Sequence, residues 1–411
     1  MTDTTNSNSL NNPSPGSISR QPRAIVTVNG LQAQGVIEWD VDNNIHYLAD
    51  AFRIELSLSK QPPHMNWQWW MLQSTLTIEV FVGFPKDPSN YNQGELMSLI
   101  VGNVDEIDFA PIADRIVLNG RDLTAKFAET QTTETWKNKF ASAGDVILAS
   151  KDGMQVESDP FAATGDIANP GIVEILAARH GMQVESYHTA AYVGKYYNID
   201  HIRIGGQHSE WDLLTFLANE EGAEVFVRGN TLVFRQPPQT LGNPYVIQWT
   251  PPDQVSASPQ SNATRIHLSS NRTLARDVIV HVRSWNQKQK AAFTRTAKAS
   301  HKRISSISPR AIPIGTAQTY FRVIPNLTPQ QALQRAQAIL AEITSMERRI
   351  QAELPGDNIL SIDNPVQLTG TGTNFDNFYH AQSVLRRFSF DEGYSMTLEA
   401  KNHPPESEVM L

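Results

Sequence analysis

Two stretches of strict alternation constrain this chain more than any other feature. Phe52, Ile54, Leu56 and Leu58 recur at every second position, and so do Leu76, Ile78, Val80 and Val82. A period of two over four apolar positions places one face of a strand against a core. Ala24–Val28 before the turn pair Asn29–Gly30, Leu99–Val104 and Ile116–Leu118 add further strands, separated by loops rich in Pro, Gly, Asn and Asp. Strands at this spacing, with almost no helix between them, predict a small antiparallel barrel or sandwich over residues 23–128.

The texture then changes. Asn169–Pro170 reads as cap and first position of a helix carrying Ile172, Ile175 and Leu176, with Gly181 as its stop. Ser209 caps a second helix with Trp211, Leu214, Leu217 and Ala218 on one face. Val225, Val227, Leu232 and Phe234 flank Arg228–Gly229–Asn230 as a hairpin, so residues 129–236 predict an α+β insert. The string Gly-Met-Gln-Val-Glu-Ser at 153–158 recurs at 181–186, which is too short to mark a repeat fold.

Residues 237–260 are Pro-rich and read as a linker. Alternation returns after it, in Val278, Val280 and Val282 and in Met396, Leu398 and Ala400, predicting a second β-barrel over 261–403. Inside it, Thr328 and Gln331 form a capping box with Pro329 in the first turn. Leu333, Ala336, Leu340, Ile343, Ile350 and Leu354 extend that helix to 354, where Pro355–Gly356 ends it. The fold class expected is a β-rich α+β one: two small antiparallel β-barrel domains, an α+β insert and one long helix, 328–354, in the second β region. A length of 411 residues suits two to four such domains.

The ends carry little folding information. Residues 1–22 are rich in Asn, Ser, Thr and Pro and lack an apolar stretch of signal-peptide type; they read as a disordered arm. Residues 404–411 read as a tail. No run approaches the ~18 apolar residues of a membrane span.

Composition excludes several chemistries. With no cysteine there is no disulfide, thiolate nucleophile or Cys-type zinc site. The net charge of −8 is modest, but its distribution is not: residues 1–128 hold 14 acids against 8 Lys and Arg, whereas 265–310 hold 11 Lys and Arg and only Asp277. Such asymmetry fits faces of opposite sign that meet a neighbour. The basic stretch has only Trp285 and Phe293 as aromatics, too few for the stacking platform of a single-strand binder, so no specific nucleic acid is expected.

Enzyme motifs are equally sparse. Ser57-Leu-Ser-Lys60 matches a Ser-x-x-Lys pattern but ends a strand, where that chemistry needs a helix start. Asp40, Asp42 and Asn44 imitate the start of a calcium loop, yet Ile45 stands at its glycine position and Ala51 at its closing glutamate. His180 and His188 are separated by Gly181 and share no helix face. Asp105, Glu106 and Asp108 could serve as a glycosidase dyad or as an ordinary acidic loop. No catalytic residue, cofactor or metal is assigned.

The candidate interface residues are Trp67, Trp69 and Trp70, clustered before a strand, and Arg283 with Trp285. Indoles are common anchors at protein–protein contacts. They also cover the open ends of barrels, and the sequence leaves both readings standing.

Several strings, in order, resemble one family. They are Leu118-Asn-Gly-Arg-Asp-Leu-Thr-Ala125, Ser209-Glu-Trp-Asp-Leu-Leu-Thr-Phe-Leu-Ala-Asn-Glu-Glu-Gly222, Val280-His-Val-Arg-Ser-Trp-Asn-Gln-Lys288, Phe375-Asp-Asn-Phe-Tyr379 and Gly393-Tyr-Ser-Met-Thr-Leu-Glu-Ala-Lys-Asn402. Over about 23–403 the chain resembles the baseplate hub proteins of contractile-tailed bacteriophages, of the late control gene D type, related to the hub part of type VI secretion spike proteins. The resemblance implies a homotrimer whose two barrels per subunit form a ring between the six-fold tail tube and a three-fold spike. It further implies a virion location in the tail baseplate, assembly in the host cytoplasm and no catalytic residues. Expected partners are the tail tube or its initiator, a separate spike trimer, and the baseplate wedge and tape measure proteins. A peptidoglycan-degrading or peptidoglycan-binding tail component and the spike base of a type VI-like apparatus are the alternatives.

Overall fold

The computed structural model describes residues 21–45, 47–132, 140–144, 170–189, 208–221, 223–236, 243–252, 258–271, 278–286, 291–299, 317–324, 327–344, 348–389, 391–402 and 408–410. The expected arm, the first copy of the six-residue string and much of the basic stretch lie outside these residues.

Seven strands form the first β region: β1 (Arg23–Val28), β2 (Leu31–Gln32), β3 (Val36–Asn44), β4 (Ala51–Ser57), β5 (Thr77–Gly83), β6 (Met97–Ala110) and β7 (Arg115–Asp122). They lie antiparallel in the order β3-β4-β7-β6-β5-β1-β2. The alternation is realised as read: Phe52, Ile54 and Leu56 on β4, and Ile78, Val80 and Val82 on β5, are buried in one core with Trp39, Val41, Ile116 and Leu118. Gly120 is a requirement of that packing. A Cβ there would lie 2.1 Å from the Asn103 carbonyl oxygen and 2.4 Å from the Phe52 ring.

The insert follows, with β8 (Gln131–Thr132), β9 (Gln183–Ser186), β10 (His208–Ser209), β11 (Glu224–Arg228) and β12 (Thr231–Arg235) and helices Thr124–Glu129, Ile172–Arg179 and Glu210–Glu221. β11 and β12 form the expected hairpin, and β9 adds to β12 in parallel. Ser209 and Asp212 exchange reciprocal bonds at the start of the third helix, as its cap predicts. The first helix of the expected pair begins two residues later than read, at Ile172 with Gly171 as its cap.

The last region contains β13 (Tyr245–Thr250), β14 (Gln260–Ser261), β15 (Arg265–Ser270), β16 (Val278–Asn286), β17 (Ala291–Ala299), β18 (Gln318–Val323), helix Pro329–Thr344, β19 (Arg348–Pro355), β20 (Pro365–Thr369), β21 (Phe378–Ser389), β22 (Gly393–Asn402) and β23 (Glu408–Met410). Three expectations change here. The helix expected over 328–354 ends at Thr344, and Arg348–Pro355 is a strand paired with β15 and β22. Ile350 and Leu354 are four apart, a spacing that fits both a helix turn and two strand periods; Ala352, buried between them, fits only the strand. Within the Pro-rich stretch, Tyr245 and Ile247 are buried on β13, which pairs in parallel with β20.

The third change is architectural. β16, β17, β18 and β23 form a separate four-stranded sheet in the order β18-β16-β17-β23. Helix Pro329–Thr344 covers it, with Val278, Val280, Val282, Ala336 and Leu340 in one core. β13, β14, β15, β19, β20, β21 and β22 instead join the first β region. Seven residue pairs, from Ser383↔Asn44 to Ser389↔Glu38, bond β21 to β3 antiparallel, so the two β regions share one fourteen-stranded sheet. Among the described residues no pairing closes it into a barrel; the chain is β-rich α+β.

Candidate interface faces

The three indoles sit on a short helix, Trp67–Leu72, and the helix sorts them. Asn66 caps it, its side chain accepting from the Trp69 amide at 2.9 Å. Trp70 points into the core of the first β region and is 1% exposed. Trp69 is half-buried and meets Trp70 edge-on at 5.1 Å. Trp67 is 43% exposed and packs against Phe109 of β6 at 4.7 Å. Met71 and Leu72 stand exposed beside them, and Ile112, three residues past Phe109, is fully exposed. The two sequence readings therefore divide by residue: Trp70 closes its own core, and Trp67 is presented to solvent.

Arg283 and Trp285 are presented by a different element. On β16, Val278, Val280, Val282 and Ser284 turn toward the helix. Buried Ser284 is satisfied by accepting from the Leu327 amide at 2.9 Å. The alternate positions His281, Arg283 and Trp285 face outward, as period two requires. β18 runs parallel beside them and places Phe321 next to His281 and Val323 next to Arg283. The His281 and Phe321 rings stack at 4.8 Å. Phe321 is 70% exposed and Val323 77%, on a strand that among the described residues pairs only with β16. The Trp67 and Arg283–Trp285 groups thus belong to two faces.

Sequence reasoning missed the junction where three parts of the chain meet. A cavity of about 350 Å³ is lined by Asn43, Asp50, Asp122, Arg228, Asp363 and Arg386, among others. Arg386 is buried and donates through Nη1 to Asn43 at 2.6 Å and through Nη2 to the Leu360 carbonyl. Asp50 accepts from the Asn44 amide at 2.7 Å and from Asn43 Nδ2 at 2.8 Å. Asp122 accepts from the Thr124 amide and hydroxyl at 3.1 and 2.9 Å. Burial pushes Asp50 up to about 6; burial and then the charge of Asp50 push Asp122 up to about 8. Arg235 and Arg228 of the insert both bond Asp363. Tyr47 ties the insert to the first region through its hydroxyl to the Ala223 carbonyl, 2.6 Å, and its own carbonyl to Trp211 Nε1, 3.0 Å.

Several of the residues weighed for enzyme chemistry have hydrogen-bond partners of their own. Ser57 donates to Asp114 at 2.6 Å. Asp40 accepts from Arg387 at 2.8 Å. His180 meets buried Glu210 at 2.5 Å, while His188 reaches the Ala143 carbonyl at 3.3 Å. Asp105 is held by two bonds from Arg121. Among the described residues no cluster of three or more metal-ligating side chains occurs, and no helix is long and apolar enough to cross a membrane.

No protein-family model and no curated protein matches the sequence. Solved structures do match in fold. The tail protein from Neisseria meningitidis MC58 superposes with a TM-score of 0.57 at 12% identity, over 93% of this chain and 96% of that one. The 43 kDa tail protein of prophage MuSo2 from Shewanella oneidensis gives 0.55 at 12% identity, over 94% and 100%. The prophage tail protein gp18 from Listeria monocytogenes EGD-e gives 0.51 at 8%, over 93% and 95%. The chain thus has, over nearly its whole length, the fold of these phage tail proteins.

Proposed function

We propose that this chain is a structural, non-enzymatic hub of a phage tail baseplate, a homotrimer that joins a six-fold tail tube to a three-fold spike. The observation that carries the reading is the shared fold with phage tail proteins over more than nine-tenths of the chain. The chain's own architecture supports it. Two β regions per subunit, joined in one sheet, give three subunits six β regions, the number that a six-fold tube presents to a three-fold ring. The β3–β21 ladder fixes the two regions to each other within a subunit. The partners are the tube or its initiator on one face and a spike trimer on the other, with wedge and tape measure proteins around them.

Reconstruction of the assembled particle tests this directly: three copies around the tail axis are expected. One copy, or a location outside the baseplate, overturns the reading. Clearing of peptidoglycan by the purified chain would overturn its non-enzymatic part.

A further inference from the structure

Two segments lead from the first β region into the insert, and a carboxyl group stands at the root of each. The turn between β3 and β4 carries Tyr47, whose amide donates to the Val225 carbonyl of β11 at 3.2 Å. Its hydroxyl and carbonyl make the bonds to Ala223 and Trp211 described above. Half-buried Asp50 closes the base of that turn, accepting from Asn43 and Asn44. The chain itself crosses at the end of β7. There buried Asp122 accepts from Thr124 at the start of helix Thr124–Glu129, and Leu123 and Phe127 enter the insert core. The two roots are joined, because the Asp122 amide donates to the Asp50 carbonyl at 2.9 Å.

The charges around this pair do not cancel when both carboxyls ionise. β21 contributes Arg386, whose guanidinium bonds Asn43 and the Leu360 carbonyl rather than either carboxyl. Across the cavity, Arg228 of β11 and Asp363 bond each other. Arg121 of β7 is taken up by Asp105 and Glu129, and helix Thr124–Glu129 adds Lys126 in its last turn. β3 adds Asp42, itself raised by burial, with Glu399 of β22 beside it. The cavity-lining residues of β6, from Met97 to Val101, carry no charge. With one proton between them, Asp50 and Asp122 present a single negative charge to Arg386. With none they present two, side by side, where Asp122 is shielded from water. Burial raises Asp50 to about 6, and burial with the charge of Asp50 raises Asp122 to about 8, so the one-proton state occupies the interval between.

We infer that the Asp50–Asp122 pair is a one-proton latch: loss of its last proton parts the two roots and swings the insert away from the first β region while both stay folded. Docked roots hold the proton more tightly than separated, solvated ones. Rising pH therefore favours the open form, and falling pH restores the docked one. The moving parts are those of a hinge, a turn and a chain crossing at element ends. The latch belongs to the single chain and does not depend on the hub reading.

Energy transfer between two dyes on the full chain tests it, and the absence of native cysteine makes the labelling specific. Lys86→Cys on the first region and Glu185→Cys on the insert are both exposed positions. Transfer is expected to fall on the alkaline side of about pH 8, to return on acidification, and to leave the far-ultraviolet circular dichroism unchanged. Asp122→Asn and Asp50→Asn, made separately, each leave at most one charge in the pair and are each expected to abolish the fall. Constant transfer from about pH 5 to about pH 9 in the wild-type background overturns the latch. So does a fall that is accompanied by loss of the dichroism signal, which is unfolding, or one that persists in both variants.

Discussion

At the scale of single residues the junction carries the sharpest expectations. Asp122 holds its proton in the native state to about pH 8, against an ordinary carboxyl value of 3.8. The unfolded chain releases that proton earlier, so the native state binds more protons between those values and stability falls as pH rises from about 4 to about 8. Asp122→Asn is therefore expected to stabilise the protein at pH 8, on the order of 2 kcal/mol, and to do little at pH 4. Thermal melts at the two pH values check the difference. Tyr47 is a second such residue, a bulky side chain at φ 82°, in the left-handed region that favours glycine. Its phenol, pushed by burial to about 12, remains a neutral donor to Ala223 at ordinary pH. Tyr47→Phe should cost about 1 kcal/mol and speed amide exchange in β11. Neither residue announced itself in the sequence. Asp50, Asp122 and Arg386 are 72 and more positions apart, and only the ladder between distant strands brings them together.

At the scale of elements, the indole helix separates a core side chain, Trp70, from an exposed one, Trp67. Trp70→Ala should cost about 3–5 kcal/mol by opening a cavity, and Asn66→Ala about 1 kcal/mol by removing the cap. Trp67→Ala should leave melting nearly unchanged, because its ring is already partly in water. Denaturant titrations of the three variants would rank them in that order. The sequence was informative wherever a period was unambiguous: β4, β5, the insert hairpin and the Thr328 cap stand where the pattern puts them. It failed at Ile350 and Leu354, where one spacing satisfies two periods, and at β13, where flanking prolines concealed a buried Tyr245. Of the candidate interface residues, composition could nominate Trp67 and Trp70 alike; only the register of one helix turn distinguishes them.

At the scale of the whole molecule, the seam between β3 and β21 is the dominant feature. Beyond its ladder it stacks Trp39 on Phe388 at 5.8 Å and pairs Asp40 with Arg387. The two β regions should therefore melt together, as one calorimetric transition, and a chain cut after residue 132 should aggregate through the open β3 edge. Separate transitions, or a soluble monomeric fragment, would contradict a shared sheet. No local pattern foretold this, since each region taken alone reads as a self-sufficient unit.

The seam also sets a timetable. Asp40 and its partner Arg387 lie 347 residues apart in the chain. At ribosomal speeds of about 5–20 residues per second, roughly 17–70 s pass between their syntheses. Throughout that interval the nascent first region waits with β3 unpaired and Trp39 lacking its Phe388 lid. Chaperone capture of the nascent chain should accordingly persist until β21 is free of the ribosome, and decline once it pairs with β3.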